Sequence, residues 1–151
     1  MKNILLTGGA GFIGSTLAEK LLQEGNRVTV LDNFTNFYDP AVKENNIQAL
    51  LDHPFFSLIR VDITDHDALF NQVEAHDVII HIAAKAGVRP SILDPLGYED
   101  VNVRGTINLL EFAKHHGIKQ FVFASSSSVY GTNPNVPWKE DSEIDFIISP
   151  Y

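Results

Sequence analysis

Short apolar runs alternate along this chain with longer stretches whose apolar residues recur at helical spacing. Asn3 to Leu6 is a brief apolar run that ends at glycines. Phe12, Ile13, Leu17, Leu21 and Leu22 follow at helical spacing, which predicts a helix with Gly25 as its stop signal. Val28 to Leu31 is β-branched and strand-like, and it closes on Asp32. A polar and aromatic loop, Asn33 to Pro40, leads to a weaker helix around Val42 to Leu51. Phe55 to Val61 predicts a third strand, closing on a second acid, Asp62. Thr64-Asp65-His66-Asp67 resembles a capping box that opens a helix through about Val73. Val78 to Ile82 is a fourth strand, and one long helix is expected from about Leu96 to His116, ending at Gly117. Gln120 to Ala124 is the fifth strand, and a serine run follows it.

Strands that are apolar on both faces and separated by helices imply a parallel sheet covered on two sides. The expected fold class is therefore α/β, a doubly wound sheet ordered 3-2-1-4-5, in one domain without repeats or linkers. Ligands of such sheets bind beyond the carboxyl ends of the strands, at the switch point between the first and fourth. Function is to be sought in the residues just after each strand.

Composition narrows the chemistry. The chain has 151 residues, 44% hydrophobic and 20% charged, the profile of an ordinary globular domain. A formal charge of −8 from only 11 scattered Lys and Arg argues against a nucleic-acid partner. The absence of cysteine excludes disulfides, a thiolate nucleophile and Cys-ligated metal, and the 6 histidines lack metal-site spacing, so no metal is expected. No apolar run approaches about 18 residues, so no membrane partner is expected either. The N-terminus reaches glycine too soon for a signal peptide, and a cytoplasmic location is the expectation.

Gly8, Gly11 and Gly14 sit between the first strand and the first helix as G-x-x-G-x-x-G. Positions without side chains let the backbone turn sharply, and let a pyrophosphate approach the first amides of the helix, where the dipole favours anions. Phe12 and Ile13 supply amides of that turn. Asp32, 18 residues after Gly14, is placed to accept from adenosine ribose hydroxyls and to repel a 2′-phosphate. Asn33, Phe34 and Thr35 supply no compensating cation, and the glycine turn contains none, so NAD is expected over NADP. Asp62 and Ile63 are placed to flank the adenine, the first accepting from its amino group and the second packing on its face. His81 reads as a satisfied strand-end histidine, and Arg89 as a loop cation.

These residues resemble the extended short-chain dehydrogenase/reductase family of nucleotide-sugar epimerases and dehydratases. The resemblance is carried by Thr7 to Gly14, Asp32-Asn33, Asp62, His81 to Ala84, Asn102 with Gly105-Thr106, Ser125 to Gly131, and Ser149-Pro150-Tyr151. It implies NAD held by this part of the sheet and a UDP-sugar held mainly by a C-terminal lobe, in an enzyme that forms a homodimer. It also implies that Ala83, Ala84 and Lys85 line the nicotinamide-ribose side, with Asn102 on the long helix facing the cofactor. Ser126 is the implied catalytic serine, Ser127 and Ser128 lie close to the sugar, and Tyr151 is the implied catalytic tyrosine.

An ordinary tyrosine ionises near about 10, so a phenolate base working near neutrality needs roughly 4 kcal/mol of differential stabilisation. The resemblance implies that a lysine of a Tyr-x-x-x-Lys motif and the nicotinamide charge provide it. Resembling dehydratases carry Asp-Glu before the Val-Tyr-Gly, where this chain has Ser127-Ser128 before Val129-Tyr130-Gly131. That favours a 4-epimerase working through a transient 4-keto sugar. Asp32-Asn33-Phe34, Tyr38-Asp39 and His81 to Arg89 look most like UDP-glucuronate 4-epimerases, although those usually have Gln where this chain has Lys85. UDP-glucose and UDP-N-acetylhexosamine 4-epimerases and nucleotide-sugar dehydratases remain alternatives. No lysine follows Tyr151 in the sequence, so the chain is expected to be a C-terminally truncated, inactive NAD-binding portion. The alternative from another class is a non-catalytic, self-associating dinucleotide-binding module.

Overall fold

A computed structural model describes residues 1–151. Five parallel strands lie in the order β3-β2-β1-β4-β5, the expected order. They are β1 (Asn3–Thr7), β2 (Arg27–Leu31), β3 (Phe56–Ile59), β4 (Val78–His81) and β5 (Gln120–Phe123). The register pairs Thr7 with both Leu31 and His81, so the strands of the switch point end level with one another.

Alternation along the strands divides the core between two faces. On one, Leu5, Leu31 and Ile79 pack with Leu69, Leu109 and Phe112. On the other, Leu6, Val28 and Val30 pack with Ala18, Leu22 and Leu50. The side chains from helices α1 (Phe12–Gln23), α3 (His66–Gln72) and α6 (Gly105–His115) complete these two cores. No helix is long and apolar enough to cross a membrane.

Five local features differ from the expectation. The capping residue of α3 is Asp65 rather than Thr64: its carboxylate accepts from the Ala68 N–H at 2.9 Å. Thr64 instead donates its hydroxyl to Asp62 at 2.7 Å. The long helix is three pieces: α5 (Pro95–Glu99), a π-turn over Asp100–Arg104, and α6. A short helix, α4 (Val88–Leu93), precedes them, with Pro90 in its first turn, where a missing N–H breaks no bond. Helix α2 covers Pro40–Ile47 and tightens into a 3₁₀ turn over Gln48–Leu50. Finally, β5 is an edge strand with Val122 and Phe123 exposed, so cover on both faces does not extend across the whole sheet.

Candidate functional site

A cleft of about 670 Å³ opens over the carboxyl ends of β1, β2 and β4. Its floor is the glycine turn. Gly8 has φ +69°, and a β-carbon there would come within 2.8 Å of the Ala83 backbone. A β-carbon at Gly14 would collide with the Gly8 carbonyl oxygen. Both positions are closed to side chains because two backbone segments touch. No side chain caps α1, and its first turn carries no acid. The first N–H groups of a helix have no partner within it, so an anion-receptive end faces the cleft. Phe12 and Ile13 are strongly exposed at its rim.

Asp32 stands at the end of β2, 5% exposed. Its Oδ1 accepts from the Phe34 N–H at 2.9 Å and from the Lys43 ammonium at 2.8 Å, and its Oδ2 accepts from the Ala10 N–H at 3.2 Å. A lone pair on Oδ2 stays open to a ribose hydroxyl. Lys43 corrects the sequence reading, which found no cation near this carboxylate. The chain turns back through α2, which Asp39 caps by accepting from Ala41, and this returns Lys43 to Asp32. In the sequence the spacing of Lys43 is the one hint, and it is too weak to read without the fold. Lys43 lies on the same helical stripe as buried Ile47 and Leu50.

Asp62 closes the far side of the cleft. Burial opposes its ionisation, but hydrogen bonds from the Thr64 amide and hydroxyl and from Asn33, with the charge of Arg104, outweigh that and hold it below the usual carboxylate range. The bonds measure 2.8, 2.7 and 2.7 Å. Asn33 thus ties the end of β2 to Asp62. Ile63 lines the cleft while packing beneath Gly105. Its carbonyl accepts from the Asn108 amide at 2.9 Å.

Ala83, Ala84 and Lys85 line the other end. Asn102, in the π-turn, accepts from the Lys85 N–H at 2.8 Å and donates to the Lys85 carbonyl at 3.0 Å. It clamps this loop from behind. The Lys85 ammonium binds Asp94 at 2.7 Å and lies 5.1 Å from the Tyr98 ring centre. That hydrogen bond and the Gly97 N–H hold the Asp94 carboxyl below its ordinary value.

His81 is the satisfied residue the sequence implied. The Thr7 hydroxyl accepts from the Ile82 and Ala83 amides and therefore donates to His81 Nδ1 at 2.7 Å. His81 Nε2 donates to Thr106 Oγ1 at 2.9 Å, and that hydroxyl donates onward to the Asn102 carbonyl at 2.6 Å. The network fixes a neutral ring, and burial lowers its pKa to about 4.

The proton-transfer residues implied by the resemblance lie beside the cleft and do not line it. Ser126 caps a 3₁₀ turn over Ser127–Tyr130, accepting from the Ser128 N–H at 3.1 Å. Tyr151 stands edge-on to Tyr98, ring centres 6.3 Å apart, and Tyr98 donates to the Ala86 carbonyl at 2.7 Å. Tyr151 is thereby brought to the Lys85 end, but it makes no hydrogen bond with Ser126. Arg89 is exposed on α4, outside the cleft.

The model of the NAD-dependent epimerase/dehydratase family matches residues 4–151. The chain belongs to that family. It is 43% identical over 150 residues to a UDP-glucuronate 4-epimerase of Thermodesulfobacterium geofontis, covering 97% of this chain and 46% of the relative. A UDP-glucuronic acid 4-epimerase of Bacillus cereus, solved with UDP-glucuronic acid and NAD, superposes with a TM-score of 0.84 at 38% identity, over 98% of this chain and 47% of that one. The UDP-Glc/GlcNAc 4-epimerase of Campylobacter jejuni gives 0.88 at 32% identity, over 100% and 45%. The chain spans about half the length of the relatives it matches. The family's cofactor, NAD, fits the cleft on this structure's own features: a backbone cradle that any β-carbon would fill, an uncapped helix end, and a buried carboxylate with one acceptor site open.

Proposed function

We propose that these 151 residues are the NAD-binding part of a nucleotide-sugar 4-epimerase acting on UDP-glucuronate. The observation that carries this reading is the order of groups along one cleft. Asp62 and Asp32 stand at one end, the glycine turn in the middle, and Ala83 to Lys85 at the other, with the Tyr98–Tyr151 ring pair beside it. The adenosine would lie against Asp62, Ile63 and Asp32, and the pyrophosphate against the amides of Phe12, Ile13 and Gly14. When bound, NAD takes up the C4 hydride of the sugar and returns it to the opposite face.

The chain's own residues handle the proton. Tyr151 accepts it from the sugar 4-hydroxyl and gives it back, and the Ser126 hydroxyl orients the sugar oxygen toward the phenol. Ser128, whose N–H donates to Ser126 Oγ at 3.1 Å, would lie close to the sugar. Asn102 and the His81–Thr106 network hold the loop after β4, so that the two reacting groups meet a fixed wall. The exposed apolar stripe of Val103, Ile107 and Leu110 supports a homodimer through the face shared by the π-turn and α6.

UDP-glucuronate is favoured by the likeness to the T. geofontis enzyme, and a dehydratase is disfavoured by Ser127-Ser128 in place of an acidic pair. The test is a chimera joining residues 1–151 to the remaining half of the T. geofontis protein. We expect it to convert UDP-glucuronate to its 4-epimer. A 4-keto-6-deoxy product, or preference for UDP-glucose, would overturn the substrate and reaction assigned.

A further inference from the structure

The Asp32 carboxylate occupies an anion site built by the rest of the chain. Three donors converge on it: the Ala10 N–H at 3.2 Å, the Phe34 N–H at 2.9 Å and the Lys43 ammonium at 2.8 Å. Further contacts hold the donors in place. Phe34 adopts a left-handed backbone, φ 52°, and its N–H donates to Asp32. The Ala10 carbonyl is held by the Asn46 amide at 3.0 Å. Lys43 is 9% exposed, with the Tyr38 and Phe34 rings 5.5 and 5.9 Å from its ammonium. Of its three N–H groups, one is used on Asp32.

Two amides and a buried ammonium around one carboxylate have the composition of a phosphate-binding site. Asp32 lies where an adenosine ribose is received, so the anion nearest at hand would be a ribose 2′-phosphate. We propose that Lys43, with the Ala10 and Phe34 amides, forms a latent 2′-phosphate site, and that Asp32 keeps it filled. Selectivity for NAD then resides in this one carboxylate and not in a shortage of positive charge. The inference rests on the cofactor reading above.

The experiment measures NAD and NADP affinity by calorimetric titration of the 151-residue chain, of Asp32→Ser, and of Asp32→Ser with Lys43→Met. Asp32→Ser should raise NADP affinity by about tenfold or more, the scale of one charge-assisted hydrogen bond, and should invert the order of the two cofactors. Adding Lys43→Met should remove that gain, and raising the salt concentration should weaken it. No gain in Asp32→Ser, or a gain that survives loss of Lys43, would overturn the proposal. Asp32→Ser leaves a buried ammonium unpaired and can fail to fold. Asp32→Asn keeps an oxygen acceptor for the amides and serves in that event, with an unchanged ratio of NADP to NAD affinity counting against the proposal. Failure of the wild-type chain to bind NAD is a separate result that removes the cofactor reading itself. The Asp32→Ser titration with 2′,5′-ADP against AMP then still tests the phosphate site.

Discussion

Within the glycine turn, Gly11 is a position where an added side chain displaces backbone less than it would at Gly8 or Gly14. A β-carbon there would stand 3.3 Å from the Gly8 carbonyl oxygen, in ordinary extended backbone at φ −71°. Gly11→Val should therefore fold, yet fill the space before the first amides of α1. We expect NAD affinity to fall by about tenfold or more, roughly 1.4 kcal/mol, with the unfolding midpoint little changed. Unaltered affinity by titration would remove the pyrophosphate from this turn. His81 makes a second prediction at this scale. Its folded pKa of about 4 lies below the ordinary 6.5, so the unfolded chain binds more protons between those values. Stability is complete above about pH 6.5 and falls as the pH drops toward about 4, by a cost of order 3 kcal/mol. Denaturant unfolding across that window should show a shallower decline for His81→Asn than for the wild type. Asp32, Asp62 and His81 were legible in the sequence because each stands at, or just beyond, the carboxyl end of a strand. Lys43 was not, because a lone lysine in a polar helix reads as solvated until the fold returns that helix to β2.

The helical segments after β4 were legible only in outline. Periodicity from Leu96 to His116 cannot distinguish an unbroken helix from one with a π-turn, because the apolar stripe merely shifts by one residue. That shift aims Asn102 at the loop rather than along the helix. Asn102→Ala removes both of its bonds to the Lys85 backbone. It should cost about 1–3 kcal/mol, the penalty for leaving paired backbone groups unsatisfied, read from chemical denaturation. A cost near zero would mean that the loop is held by other contacts. Helix α4 escaped notice because six residues containing a proline carry too little pattern. The strands were more readable, since each is a short β-branched or aromatic run bounded by turn residues. The exposure of β5 was not, because an apolar run identifies a strand but not whether neighbours cover it.

For the whole molecule, the fold assembles a cofactor cleft more completely than a reaction centre. The glycine cradle, Asp32, Asp62 and the Ala83–Lys85 loop face one cavity, whereas Ser126 and Tyr151 lie outside it without a mutual hydrogen bond. The 151-residue chain assayed alone with NAD should show no epimerisation of UDP-glucuronate above an enzyme-free control, since Ser126 and Tyr151 do not converge on the cleft in it. Turnover by this polypeptide would contradict the role assigned to that pair. In the chimera, Tyr151→Phe should lower turnover by about 10²–10⁴-fold, the usual contribution of a general acid or base, while NAD affinity stays within a factor of about two. A Tyr151→Phe chimera with full turnover would place the base elsewhere. The central claim concerns the cleft, and a crystal structure of the 151-residue chain grown with NAD tests it most directly. We predict the pyrophosphate on the amides of Phe12 to Gly14, the adenosine ribose on Asp32, and the nicotinamide ribose beside Ala83 to Lys85. Density for NAD elsewhere on the surface, or none at saturating NAD, would contradict it.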